Sequence, residues 1–229
     1  MKILAIGAHP DDIEIFMFGF LSVCKGRSDE IFMTVVTDGA KGGQTNDEEL
    51  INVRKNETIN GLKSLGEPTF LNLRDGNVGN SDKDFTKINE NLYKVKPDLI
   101  VTHCQHDYHS DHIAVSNLVK KAAGHYIPIL YCDTMMGINF DPLYYVDITE
   151  YFGLKIKAIM EHSSQKPNRF VNLSKLMNSY RSAQCNAPLG CYAEAYTFEK
   201  SFPFSDIRSI LPQPIPLRPF DINNYNGFL

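Results

Sequence analysis

Residues 2–14 read KILAIGAHPDDIE. Ile3, Leu4, Ala5 and Ile6 form a short apolar run that stops at Gly7, the pattern of a buried strand ending in a turn. That turn carries His9, Asp11 and Asp12. Pro10 fixes its own backbone angle and biases His9 towards an extended conformation, so the cluster is held stiffly. A strand running straight into a histidine and two carboxylates delivers ligands to its carboxyl end, the edge where open α/β sheets bind them. Neutral imidazole and carboxylate suit a divalent metal such as zinc, and a second carboxylate alongside can take a proton from metal-activated water. The plainer reading of the same residues is a polar turn whose acids cap the next helix.

Outward from this stretch, apolar runs alternate with helical patterns. A helix is expected over 13–25, a strand over 31–37, a Gly-rich loop over 38–46 and a helix over 47–66 capped by Asn46 or Asp47. A strand over 69–73, a turn-rich loop over 74–80 and a helix over 84–95 stopped by Pro97 follow. Residues 98–102 form the next strand, and 111–123 a helix capped by Ser110. Later strands are expected at 130–132, 144–147 and 193–198, with helices from Thr149 to about 163 and over 173–185. Strands spaced by helices predict an α/β fold with a mostly parallel sheet covered on both faces. A nicotinamide dehydrogenase would fit such a pattern, but its first turn needs GxGxxG around a pyrophosphate, and GAHPDD puts carboxylates there instead.

The fourth strand also ends in potential ligands. Residues 103–112, HCQHDYHSDH, hold His103, Cys104, His106, Asp107, His109, Asp111 and His112. If the first and fourth strands are parallel neighbours, both clusters share one edge of the sheet, which two unrelated polar loops would not require.

AHPDDIE together with HSDH resembles the LmbE/PIG-L family of metal-dependent N-deacetylases. TDGAKGG (37–43), RKNE (54–57), LRDG (73–76), YVDIT (145–149), EHSSQ (161–165) and YAEAY (192–196) resemble further blocks in the same order, over about the first 200 residues. The resemblance implies a Rossmann-like three-layer αβα domain over 1–200, with 201–229 a Pro- and aromatic-rich arm and no independent domain. It also implies removal of acetyl from an N-acetylglucosamine-type conjugate, with Zn2+ or another divalent ion such as Fe2+. Carried over by position, His9, Asp12 and His112 match the metal ligands, Asp11 the general base, and His109 the group that stabilises the oxyanion or protonates the amine. Asp111 matches the partner that orients His109. Arg54 and Asp75 match binders of sugar hydroxyls, Asp38 faces the same edge, and Glu14 matches an acid near the site. His103, His106 and Asp107 are left without a role as ligands, and His162 reads as a packed, hydrogen-bonded histidine. Where many relatives have Gly-Gly-Thr, this chain has Phe18-Gly19-Phe20, which predicts a differently seated helix and a narrower cleft.

Composition bounds the alternatives. The 229 residues are 43% hydrophobic and 22% charged with a net charge of −4, ordinary for a globular protein. Scattered Lys and Arg exclude a nucleic-acid stripe, and no apolar run reaches membrane-spanning length. Cysteines 24, 104, 132, 185 and 191 have no CxxC spacing, which suits free thiols in a reducing cytoplasm. The expected partner is a small amino-sugar conjugate, and the resemblance allows a homo-oligomer, since relatives of this kind often form trimers or hexamers, though nothing in the sequence requires one. Rival readings are a same-scaffold hydrolase of another small amide or ester, a metal-holding sugar binder without turnover, and a purely structural oligomer.

Overall fold

The computed structural model describes residues 1–43, 48–199, 211, 212 and 215. In chain order the elements are β1 (Lys2–Gly7), α1 (Asp12–Phe16), α2 (Phe18–Gly26), β2 (Glu30–Thr37), α3 (Glu48–Leu62) and β3 (Thr69–Leu73). Then come α4 (Asp82–Val95), β4 (Leu99–Thr102), α5 (Ser110–Ala123), β5 (Ile129–Cys132) and β6 (Tyr144–Asp147). The last are α6 (Phe152–Met160), α7 (Asn168–Gln184) and β7 (Ala193–Phe198). The sheet order is β3-β2-β1-β4-β5-β7-β6. The first five strands are parallel, and β7 inserts antiparallel between β5 and β6.

Side-chain alternation along β1 separates two cores. Ile3 and Ala5 pack on one face with Ile13, Phe20, Leu21, Leu62, Ile159 and Val171, which come from α1, α2, α3, α6 and α7. Leu4 and Ile6 pack on the other with Ile88, Leu92, Val115 and Val119 of α4 and α5. This is the expected three-layer αβα arrangement with a mostly parallel sheet. From β1 the chain steps outward through β2 and β3, then returns to lay β4 on the other side of β1. The strand order therefore reverses between β1 and β4, and a crevice opens at their carboxyl ends. The HPDD turn leaves β1 there, and the histidine-rich segment leaves β4.

Several boundaries depart from expectation for visible reasons. The single helix expected over 13–25 breaks at Met17 (φ −131°, ψ −12°). Across the break, the Glu194 carboxylate on β7 accepts hydrogen bonds from the N–H groups of Gly19 (3.0 Å) and Phe20 (2.7 Å). A distant acid thus satisfies donors that the first turn of α2 leaves open. Lys155 Nζ (2.8 Å) and the Tyr196 hydroxyl (2.8 Å) donate to the same buried carboxylate. Gly19 is required by close packing, since a Cβ there would lie 2.5 Å from Ile148 Cγ2. Phe18 and Phe20 are buried in the core, and the cleft is faced by Ile15 and Phe16 instead.

α5 is capped by His109 rather than Ser110, its Nδ1 accepting from Asp111 N at 3.3 Å. A 3-10 turn, Thr149–Tyr151, precedes α6, so Thr149 is not its cap. α6 stops at Met160, α7 begins at Asn168, and α3 ends at Leu62. Asn46 and Asp47 lie outside the described residues, as does most of the 201–229 arm. Of that arm, Ile215 is buried against Ala187 and Ala193.

Candidate active site

The crevice between β1 and β4 holds a cavity of about 430 Å3. Its floor is formed by His9, Asp11, Asp12, Asp75, His109 and His112. Asp12, at the start of α1, is the central group. Its Oδ2 lies 3.3 Å from His9 Nδ1 and 3.1 Å from His103 Nε2, and its Oδ1 lies 3.3 Å from His112 Nε2. The His9 N–H also donates to Asp12 Oδ2 at 2.6 Å, so turn and helix start are locked together. His112 is oriented from behind: its Nδ1 lies 3.1 Å from Asp107 Oδ2, which leaves Nε2 pointing into the site. His9 Nε2 faces Asp111 Oδ2 (3.3 Å) and Asp75 Oδ1 (3.4 Å).

Asp11 occupies the strained corner of the turn, at φ 137°, ψ −21°, a backbone region that side chains rarely adopt. Arg54 of α3 is the clip that holds it. Its Nη2 donates to the Pro10 carbonyl (2.8 Å) and lies 3.3 Å from Asp11 Oδ2, while Nη1 donates to the Gly39 carbonyl (2.8 Å). Arg54 is only 3% exposed. Gly39 (φ +69°) and Gly42 leave room for it, since a Cβ on Gly39 would lie 2.9 Å from Nη1 and one on Gly42 2.8 Å from Cζ. One turn further on α3, Glu57 accepts from Ser163 Oγ (2.8 Å), Ser164 N (2.8 Å) and Ser164 Oγ (2.6 Å). That contact fixes the 3-10 turn Ser163–Gln165 beside the cleft. His162, just before it, meets Glu14 Oε1 at 2.8 Å, and both are buried, so Glu14 acts behind the site.

The protonation pattern follows from these contacts. Burial raises the Asp11 carboxyl and Arg54 opposes the rise, leaving it at about 6. Burial would lower His112, but Asp12 and Asp107 beside it lift it to about 9. Burial likewise acts against His9, yet Asp111 and Asp12 hold it well above the usual histidine range. Burial lowers His103 to about 4, helped by the stacked His112 ring (3.8 Å between centroids). His103 Nε2 is therefore free to accept the Ala8 N–H at 2.9 Å. Burial, then His9 and His112, lower His109. As a neutral ring accepting Asp111 N–H at Nδ1, His109 carries its proton on Nε2.

A model of the PIG-L family, GlcNAc-PI de-N-acetylase, matches residues 4–123. The chain is also 31% identical over 172 residues to the uncharacterized deacetylase YaiS of Escherichia coli K12, covering 71% of this chain and 90% of that protein. The chain belongs to the PIG-L family. It is a metal-dependent deacetylase of that family, an enzyme that hydrolyses amides. Solved structures share the fold at lower identity. N,N'-diacetylchitobiose deacetylase from Pyrococcus horikoshii is 24% identical, with a TM-score of 0.72 over 86% of this chain and 83% of that one. GalB, the 4-carboxy-2-hydroxymuconate hydratase from Pseudomonas putida KT2440, is 18% identical, with a TM-score of 0.77 over 90% and 98%. One fold thus carries a deacetylase and a hydratase, so the reaction class rests on the family match and the substrate has to be argued from the site. Among the described residues no helix is long and apolar enough to cross a membrane.

The PIG-L donor set fits a divalent cation. Among the described residues, three groups have ligand atoms within 4.8 Å of one another: His9–His109–His112, Asp12–His103–His112 and His9–Asp75–Asp111. His9 and His112 belong to two groups each, and Asp12 touches both. Asp12, Asp75, Asp107 and Asp111 crowd around these two imidazoles, an excess of carboxylate that a divalent ion would balance. His103 is a poorer ligand, because its inward nitrogen already accepts from Ala8.

Residues singled out from the sequence are sorted by these contacts. His9, Asp11, Asp12, His109, His112, Arg54 and Asp75 all line the cavity. Asp38 does not. Its Oδ1 accepts from Ala40 N (3.0 Å) and Asp75 N (3.2 Å), which shapes the loops behind the cleft. The Asp111 carboxylate, expected to orient His109, instead accepts from Gly76 N (2.6 Å) and faces His9, while its backbone N–H meets His109. Asp107, to which the sequence gives no ligand role, buttresses His112. Its position five residues before that histidine was the available signal.

Proposed function

We propose that the protein removes acetyl from an N-acetylated amino sugar of the N-acetylglucosamine-conjugate type, with zinc or ferrous iron held by His9, Asp12 and His112. The observation that carries this reading is the buried, strained Asp11 carboxylate beside the His/Asp cluster, at the floor of a cavity of about 430 Å3. A bound divalent ion supplies Lewis acidity, lowering the pKa of a water towards about 7 and polarising the acyl oxygen. Asp11 takes the proton of the attacking water on its carboxylate, and a pKa of about 6 leaves it ionised at neutral pH. Neutral His109 donates a hydrogen bond from Nε2 to the developing oxyanion, and Asp11 passes the proton it has taken to the departing amine. Arg54 keeps Asp11 in place, Asp75 and Asp111 steady His9, and Asp75 borders the space for sugar hydroxyls. Acetate and a free amino sugar leave.

The test is acetate release from a panel of N-acetylglucosamine conjugates by zinc-loaded wild type and Asp11→Asn side by side. Release by wild type alone is the expected result. Silence from both with one metal bound per chain would overturn the acetamide substrate, and silence without metal would overturn the site.

A further inference from the structure

The floor of the cleft is electrostatically matched, and its mouth is not. Asp11 sits against Arg54, Asp12 against His9 and His112, and Asp75 against His9. Nearer to solvent, two cations line the same cavity, Lys41 and Arg169. Among the described residues neither side chain has a hydrogen bond or ion pair to an acid. Both are exposed, yet both are held over the cavity.

Lys41 is anchored at its backbone, whose N–H donates to Asp75 Oδ2 at 2.9 Å. Its side chain lies across the bare Cα of Gly76 (φ +71°), where a Cβ would stand 2.9 Å from both Lys41 Cδ and Cε. Gly76 N in turn donates to Asp111. The lysine stem is thereby laid over the turn that borders the cluster. Arg169 projects from the first turn of α7, with its guanidinium 4.3 Å from the Phe170 ring centroid. That first turn contains no acid, and no side chain caps it, so the positive end of the helix dipole adds to Arg169. Both cations line the one cavity, and the segments that carry them meet. The Gly42 side of the Lys41 loop approaches Gln165, where a Cβ on Gly42 would lie 2.9 Å from Oε1, and Gln165 leads through Lys166 and Pro167 into α7.

We propose that the substrate carries an anionic group, a carboxylate or a phosphate, beside its amino sugar, and that Lys41 and Arg169 receive it. The inference rests on the amino-sugar reading above and narrows it to acidic conjugates. Phe170, Tyr108 and Met135 complete the rim and give the body of the conjugate an apolar surface. Lys41 and Arg169 act on affinity, with the amide carbonyl held at the floor.

The test is calorimetric binding of four probes to metal-loaded wild type, Lys41→Met, Arg169→Gln and the double variant, with acetate release followed in parallel. The probes are methyl N-acetyl-α-glucosaminide, N-acetyl-α-glucosamine 1-phosphate, N-acetylglucosamine 6-phosphate and carboxymethyl N-acetyl-α-glucosaminide. At least one charged probe should bind wild type about tenfold more tightly than the neutral glycoside, the scale of one charge-assisted hydrogen bond. The preference should shrink in each single variant, vanish in the double variant and fade with added salt. Which charged probe wins separates phosphate from carboxylate. Charged and neutral probes binding alike, or a double variant that keeps the preference, would overturn the inference. Acetate release without charge preference would leave the deacetylase reading standing alone. Charge preference without any acetate release would keep the anion subsite and sink the amide substrate.

Discussion

Asp11→Asn should make the metal-free protein more stable while abolishing its turnover. On folding, the Asp11 carboxyl rises from 3.8 to about 6, through burial opposed by Arg54. Between those pH values the folded protein keeps a proton that the unfolded chain has lost. Stability therefore falls as pH rises through that window, and the whole deficit is present above about pH 6. A shift of roughly two units corresponds to about 3 kcal/mol, and asparagine, which never ionises, should recover it. At about pH 4.5 the same linkage leaves only about 1 kcal/mol to recover. The assay is urea unfolding of wild type and variant in chelator, at about pH 7.5 and about pH 4.5. A gain of about 3 kcal/mol at the higher pH corresponds to a melting shift of about 6–12 °C for a chain of this size. Acetate release by the metal-loaded variant should drop by about a hundredfold or more, the scale of a missing general base. A variant no more stable than wild type at the higher pH would refute the argument that burial makes this carboxylate costly. A gain of equal size at both pH values would assign the effect to backbone strain at φ 137° instead.

Arg54→Ala should lower kcat more than it raises KM, because its guanidinium is spent on Pro10, Gly39 and Asp11; a pure KM effect would return it to sugar binding. Asp107→Ala should weaken metal binding about 10- to 100-fold by freeing the His112 ring, measured by competition with a chelating dye, and unchanged affinity would remove its orienting role. Lys155→Met should cost about 3–5 kcal/mol in urea unfolding, since Glu194 is left buried without its cation. Adding Glu194→Gln to it should recover part of that loss, and strict additivity of the two variants would show that the pair does not couple.

Both clusters were legible in the sequence because each is contiguous and each follows an apolar run that can only be a buried strand. The parallel core was legible for the same reason, since strand and helix periods are local properties. Element ends were less so. Nothing within residues 13–25 announces the break at Met17, because the acid that permits it, Glu194, arrives from the far end of the chain. The capping role of His109 was hidden by a serine one position later with the stronger local preference.

By itself, then, the sequence determined which residues could bind metal and move a proton, and that strands would carry them to one edge. Only the tertiary structure decided how they are used. Strand order put β4 beside β1 and so brought His112 to Asp12, from opposite ends of about a hundred residues. It turned Arg54 inward onto Asp11, set Asp107 behind His112, and left Lys41 and Arg169 at the mouth with no acid to meet among the described residues. The reason is physical: residue type and spacing are properties of a short segment, whereas the partner of a buried charge is settled by which segments the sheet brings together.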